Sequence, residues 1–232
     1  MAKLDGGNKV GTWIYERDGV DRALWADMSG DLADAAVGGL EHGSELMVLT
    51  KGQWSLVDLL RSVSRKVGPC DLTICVWVAG AEDIIEIRRM LDVGALRSVS
   101  WLIDAFFPNR RQKEADALRD NFGPEHVRAT RTHAKFCLLQ NEEWNVAVRS
   151  SMNLNRNPRL EYVEISESAK VCAFFRSVVD EVFDAQIVGD VWVARQGDLT
   201  QSLRAVELDP YSAQPWGQQS ELEVEGEDLG VL

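Results

Sequence analysis

Residues 132–164 read THAKFCLLQNEEWNVAVRSSMNLNRNPRLEYVE, and their pattern decides the fold. Ala134–Leu139 and Val146–Arg149 are short apolar runs joined by the polar turn Gln140–Glu143, and Tyr162–Ile165 is a third such run. Short, β-branched, turn-bounded runs predict strands. The first run is interrupted by charge: His133 and Lys135 stand two apart, so a strand's side-chain period of two places them on one side of the sheet. An imidazole beside an ammonium is a poor structural pair, because each disfavours charge on the other. An anion between them would relieve the conflict.

Working outward, the same chain alternates strand and helix. Upstream, Glu45–Thr50, Leu72–Ala79, Val99–Phe106 and Val127–Thr130 read as strands. Between them lie helices at Leu56–Val67 with Ser55 as N-cap, at Ala81–Val93 and at Arg111–Asn121. Leu72–Ala79 is too continuously apolar for a half-exposed strand and is expected to be covered on both faces. Downstream, Ala169–Ala185 predicts a helix with Val171, Phe174, Phe175, Val178, Val179 and Val182 on its apolar face. Such alternation predicts an α/β sandwich with a mixed sheet flanked by helices. The organisation expected is an irregular arm over 1–43, one domain over 44–206, and an acidic, disordered tail over 207–232.

Composition excludes several classes. The chain has 232 residues, 45% hydrophobic and 27% charged, which suits a globular protein rather than a fibre or a wholly disordered chain. No apolar run approaches the roughly 20 residues of a membrane span, and the N-terminus lacks a signal peptide's apolar core. A cytoplasmic protein without membrane insertion is expected, in the host cytoplasm if phage-encoded. Cys70, Cys75, Cys137 and Cys172 form no ligand-spaced cluster and read as reduced packing residues. With only three histidines besides, no metal and no cofactor is expected.

The net charge of −12 argues against an anionic partner until its distribution is read. Residues 1–43 carry 8 acids and 4 bases, and 207–232 carry 7 acids and no base, which leaves the middle near neutrality. Within 126–160, Arg128, Arg131, Lys135, Arg149, Arg156 and Arg159 face only Glu142 and Glu143. That island is the natural seat for an anion. Arg149-Ser150-Ser151-Met152-Asn153 leaves its strand into a loop and adds hydroxyl and amide donors of the kind that suit a phosphoryl group. Loops at strand ends are where α/β sites sit. The loop Phe106-Phe107-Pro108-Asn109-Arg110-Arg111 joins rings to guanidinium groups, a second candidate contact for nucleic acid.

His-x-Lys, then Ser-Ser-Met-Asn about 20 residues on, then Asn157-x-x-x-Glu161 leading into a strand, resembles the HKD motif of the phospholipase D superfamily. The wording SSMNLNRNPRLEYVEI is similar to single-motif members from phages and prophages, and the match covers roughly residues 45–185. The resemblance implies a phospholipase D-like α/β sandwich with one HKD half-site per chain, and a metal-independent phosphodiesterase of nuclease type completed by homodimerisation. It makes His133 the nucleophile of a phosphohistidine intermediate and assigns Lys135 and Asn153 to the non-bridging oxygens. Ser151, with Ser150 and Arg149 beside it, completes the phosphate contacts, and Arg110, Arg111, Arg131 and Arg156 are candidate nucleic-acid contacts. Either Glu161 or Glu164 would orient the imidazole. Being three apart on a strand they face opposite sides, so only one can serve, and Glu161 fits the Asn-x-x-x-Glu wording. Two positions depart from the pattern: Gln140 stands where the motif's Asp is expected, and Ser150 where a Gly is expected. The alternative reading is a phage DNA-associated or assembly protein that keeps the fold as a phosphate-binding platform with weak or lost chemistry.

Overall fold

The computed structural model describes residues 22–25, 32–156, 159–189 and 191. Its centre is one mixed sheet. In chain order the strands are β1 (Arg22–Trp25), β2 (Glu45–Thr50), β3 (Cys70–Val76), β4 (Leu96–Asp104), β5 (Val127–Thr130), β6 (Phe136–Gln140), β7 (Asn145–Ser150) and β8 (Glu161–Glu167). The helices are α1 (Leu32–Gly38), α2 (Leu56–Val67), α3 (Ala81–Asp92), α4 (Phe107–Arg110), α5 (Gln112–Phe122) and α6 (Ala169–Ala185).

Strand order across the sheet is β1-β2-β8-β7-β6-β3-β4-β5. β3, β4 and β5 run parallel, whereas β6, β7 and β8 are joined by antiparallel pairing. This is the α/β architecture with a mixed sheet and flanking helices that the alternation predicts.

Local chemistry fixes the elements. Ser55 accepts from the Asp58 amide while the Asp58 carboxylate accepts from the Ser55 amide, a capping box that starts α2. Gly68 ends it at φ 82, a left-handed conformation open to glycine, and its amide donates to the Ser64 carbonyl. The helices form two layers. α1, α2, α3 and α5 bury Val37, Leu60, Ile84, Ile87 and Leu118 against one sheet face, where Leu46, Ile74, Trp101, Cys137 and Val148 point. On the other face α6 buries Cys172, Val179 and Val182 against Cys75, Leu102, Phe136, Leu138 and Ala147. Alternate residues of each central strand feed opposite cores, which is why β3 reads as an unbroken apolar run. All four cysteines are free and buried, and burial pushes the Cys70 and Cys75 thiols up to about 11.

Four expectations are corrected. The arm over 1–43 holds β1, paired parallel to β2, and α1, whose Ala33, Ala36 and Val37 join the main core. The sheet and core therefore begin before residue 44. The remainder of the arm and the tail over 207–232 lie outside the described residues. Phe174, assigned to the buried face of α6, is 65% exposed; Val171, Phe175 and Phe183 lean on the core instead. The segment Phe106–Arg111, read as a loop, holds the short helix α4, which Pro108 supports in its first turn, ahead of the expected helix that forms as α5. His133 and Lys135 do not sit on a strand, because β6 begins only at Phe136.

Candidate active site

The last correction explains how the site is assembled. β5 and β6 are consecutive in the chain but separated in the sheet by β4 and β3, so residues 131–135 must cross the ends of both strands. Each is a tether point. At the end of β4, buried Asp104 accepts from the Thr132 amide at 3.3 Å through one carboxylate oxygen and from the Phe106 amide at 3.1 Å through the other. At the end of β3, the Cys75 thiol donates to the Ala134 carbonyl at 3.8 Å. His133 is thereby held exposed above the carboxyl ends of the parallel strands, where ligands of α/β sheets bind.

The antiparallel half of the sheet delivers the remaining groups to the same edge. β7 ends at Ser150, whose amide donates to the Lys135 carbonyl at 3.0 Å, and β8 begins at Glu161. Lys135 Nζ donates to the His133 carbonyl at 2.6 Å and lies 3.2 Å from Nδ1 of the His133 ring. Burial pulls its ammonium below the ordinary lysine range, while the electrostatic influence of the Cys75 sulfur and the Glu161 carboxylate pulls it back up. The Asn153 side-chain oxygen accepts from the Val78 amide at 3.2 Å, which docks the loop after β7 onto the end of β3 and orients the amide. Ser151 donates its hydroxyl to the Glu161 carboxylate and accepts from the Tyr162 amide at 3.0 Å.

Glu161 and Glu164 separate as their spacing requires. Glu161 follows the parity of Val163 and Ile165, which feed the core beneath α1, α2, α3 and α5. Glu164 faces the other way and ion-pairs with Arg149 at 3.1 Å; Arg149 also reaches Glu45 at 3.0 Å and the Ser166 hydroxyl at 2.6 Å. Arg149 is therefore committed to two carboxylates on the α6 side of the sheet, away from the edge where His133 stands. Ser150 is also occupied, donating to the Tyr162 carbonyl at 3.0 Å and accepting from the Met152 amide at 2.9 Å as a turn-forming residue.

Of the predicted residues, the fold brings His133, Lys135, Asn153, Ser151 and Glu161 to one edge, and it diverts Arg149, Ser150 and Glu164. Asn157 of the Asn-x-x-x-Glu wording lies outside the described residues. Glu161 hands its carboxylate to Ser151, and the aromatic ring against His133 is that of Trp77 at 5.2 Å between centroids.

The basic island is dispersed in the same way. Arg128 is buried, donating to the carbonyls of Pro124, Glu125 and Val127 with its guanidinium 4.7 Å from the Phe183 ring. Arg156 lines a groove of about 340 Å³ with Asp58, Glu82, Asp83 and Glu86. Arg111 pairs with Glu114 at 3.6 Å, and Arg110 lies 5.3 Å from the Phe106 ring. Exposed Arg131 directly precedes the tethered crossover. Gln140 closes β6 at the end opposite His133, where it accepts from Arg176 of α6 at 3.0 Å and donates to Asn145 at 3.0 Å. Gln140 thus bonds to α6 and β7, at the far end of β6 from His133.

Two site residues escaped the sequence reading. Trp77 falls inside the strand expected over Leu72–Ala79, yet β3 ends at Val76, and the place immediately after an apolar parallel strand is the ligand-binding end of the sheet. Asp104 had a similar signal, an acid closing the apolar run Val99–Ile103.

No family model matches the chain, and no curated protein matches it. Among solved structures it is similar to NucT from Helicobacter pylori, at 12% identity over 61% of this chain and 97% of that one, with a TM-score of 0.43. It is also similar to Nuc from Salmonella typhimurium, a phospholipase D family member, at 14% identity over 61% and 94% with a TM-score of 0.44. A third similar structure is TrmBL2, an archaeal chromatin protein, at 13% identity over 66% and 58% with a TM-score of 0.37. Chemistry has to be read from the residues of this chain. None of its described helices is long and apolar enough to cross a membrane.

Proposed function

We propose that this chain is a metal-independent phosphodiesterase of the phospholipase D type acting on nucleic acid, with His133 as nucleophile. The observation that carries the proposal is the tethered crossover, which sets an exposed imidazole beside the Lys135 ammonium at the strand ends and brings Asn153 and Ser151 to the same edge. An ammonium, an amide and a hydroxyl suit a phosphoryl group, whose charge is spread over several oxygens. In the first step a His133 ring nitrogen bonds to phosphorus and the bond to the leaving oxygen breaks, with a proton delivered to that oxygen. In the second, water attacks the phosphohistidine and His133 departs.

The proton in the first step needs a second acid. His42 stacks on Trp144 at 4.0 Å, on the turn between β6 and β7, and His126 immediately precedes β5. Both belong to the opposite end of the sheet, so His133 is the single imidazole at its edge. A second copy of the chain, presenting its own His133, would supply the acid and later the base. The second reading, a phosphate-binding platform with weak chemistry, rests on Glu161 engaging Ser151 rather than the imidazole.

The pH dependence tests the part that Lys135 takes in the first reading. Lys135 must stay protonated to hold the phosphate, and its lowered pKa places the alkaline fall in rate below the ordinary lysine value of about 10.4. Glu161 raises that pKa, so Glu161→Gln lowers it further and shifts the alkaline limb to lower pH. Lys135→Arg, which stays charged, moves the limb upward. A rate–pH profile on a phosphodiester in EDTA checks both shifts, and a limb indifferent to both substitutions would remove Lys135 from the reaction.

A further inference from the structure

We infer that Trp77 is a stacking platform for the nucleobase beside the attacked phosphate, so that the substrate of this site is single-stranded nucleic acid. The inference rests on the phosphodiesterase reading and adds to it the substrate's form. Three observations support it.

First, Trp77 follows β3 at the point where residues 131–135 cross it, and its partly exposed ring lies 5.2 Å from the His133 ring with the two planes tilted by 51°. A tilted contact of this kind does not cover the indole face as a fully stacked ring would. Second, the neighbouring strand ends in the same manner. β4 gives way to Phe106, which is 44% exposed and carries the Arg110 guanidinium 5.3 Å from its ring. Third, one carboxylate holds both parts in register, because Asp104 accepts from the Phe106 amide and from the Thr132 amide of the His133 crossover. Adjacent strands thus present two rings and a guanidinium along the edge that bears the nucleophile.

A nucleobase hangs from its phosphate by a single sugar. A phosphate seated on His133 and Lys135 therefore carries its base to the neighbourhood of Trp77. In a duplex that base is already stacked and paired, and its faces are closed to a protein ring. In a single strand the faces are open, and aromatic platforms with interleaved cations are the common way of holding them.

The test uses the full chain with His133→Asn, so that binding is read without turnover. Fluorescence anisotropy at fixed salt compares a labelled oligothymidylate with a base-free deoxyribose-phosphate chain of the same length, which keeps the phosphates and removes the rings. The base-bearing strand is expected to bind about tenfold more tightly, the size of one base–aromatic stack. Trp77→Ala should bring the ratio close to one, and Trp77→Phe should keep most of it. Oligothymidylate should also quench tryptophan emission in the parent, and this quench should vanish in Trp77→Phe, a readout that does not depend on the alanine variant folding. An unchanged ratio in Trp77→Ala, equal binding of the two chains by the parent, or a quench that survives Trp77→Phe overturns the inference. If the ratio behaves as expected but the unsubstituted chain cleaves no strand, the stacking platform stands and the phosphodiesterase reading fails.

Discussion

His133→Ala is expected to lower phosphodiester hydrolysis by about a thousandfold or more while leaving the thermal unfolding transition nearly unchanged. The size follows from the proposed role: a covalent nucleophile is not replaced by its neighbours, since an ammonium and an amide do not attack and the Ser151 hydroxyl is engaged by Glu161. The intact fold follows from the position. His133 is exposed, and the crossover that carries it is held by backbone atoms of Thr132 and Ala134, neither of which the substitution removes. Steady-state hydrolysis of a single-stranded oligonucleotide in EDTA measures the first quantity, and circular dichroism melting measures the second. A variant that keeps its rate would place the reaction elsewhere on the molecule.

The second large effect is on stability. Trp101 is fully buried in the middle of β4 and packs at 5.2 Å against Phe122 of α5. Trp101→Ala removes the indole from a close-packed layer and leaves a cavity, for which the expected cost is about 3–5 kcal/mol. Against a total stability of about 5–15 kcal/mol for domains of this size, such a loss removes a large share of the fold's margin. Trp101→Phe should cost much less. It keeps a ring against Phe122 and also removes an indole N–H that has no partner among the described residues. Urea unfolding of the two variants checks the ordering, and equal midpoints would mean that the layer relaxes around the missing ring.

The two effects fall on the two halves of what the sequence conveys. Helix starts and strand faces are short-range, and they are legible: the Ser55–Asp58 box, the Gly68 stop and the double-sided burial of β3 are all written within a few residues. The paths between strands are not. Nothing between Thr130 and Phe136 says that β5 and β6 are three places apart in the sheet, so His133 and Lys135 read as strand residues when they are a bridge over β4 and β3. Alternation does put Arg149 opposite Val148, but its partners Glu45 and Glu164 arrive from distant chain segments, and the arginine reads as a phosphate ligand until those carboxylates are placed. The same holds for Arg128, whose acceptors are carbonyls. For Trp77, the ring and its strand are visible in the sequence, whereas the crossover that sets His133 beside it is not.

Gln140 shows the converse. Its departure from the motif bears on chemistry only for as long as its place is unknown. β6 carries it away from His133 to a bond with Arg176 of α6, so its direct contacts are with a helix and not with the imidazole.

The central claim is that His133 becomes covalently bonded to phosphorus. Rapid acid-free quenching of the full chain during turnover of a phosphodiester in EDTA, followed by peptide mass spectrometry under alkaline conditions, tests it directly. A phosphoryl adduct on the peptide carrying His133, stable to base and lost in mild acid, is the result predicted. Turnover that proceeds with His133 unmodified, or with the adduct on another residue, would contradict it.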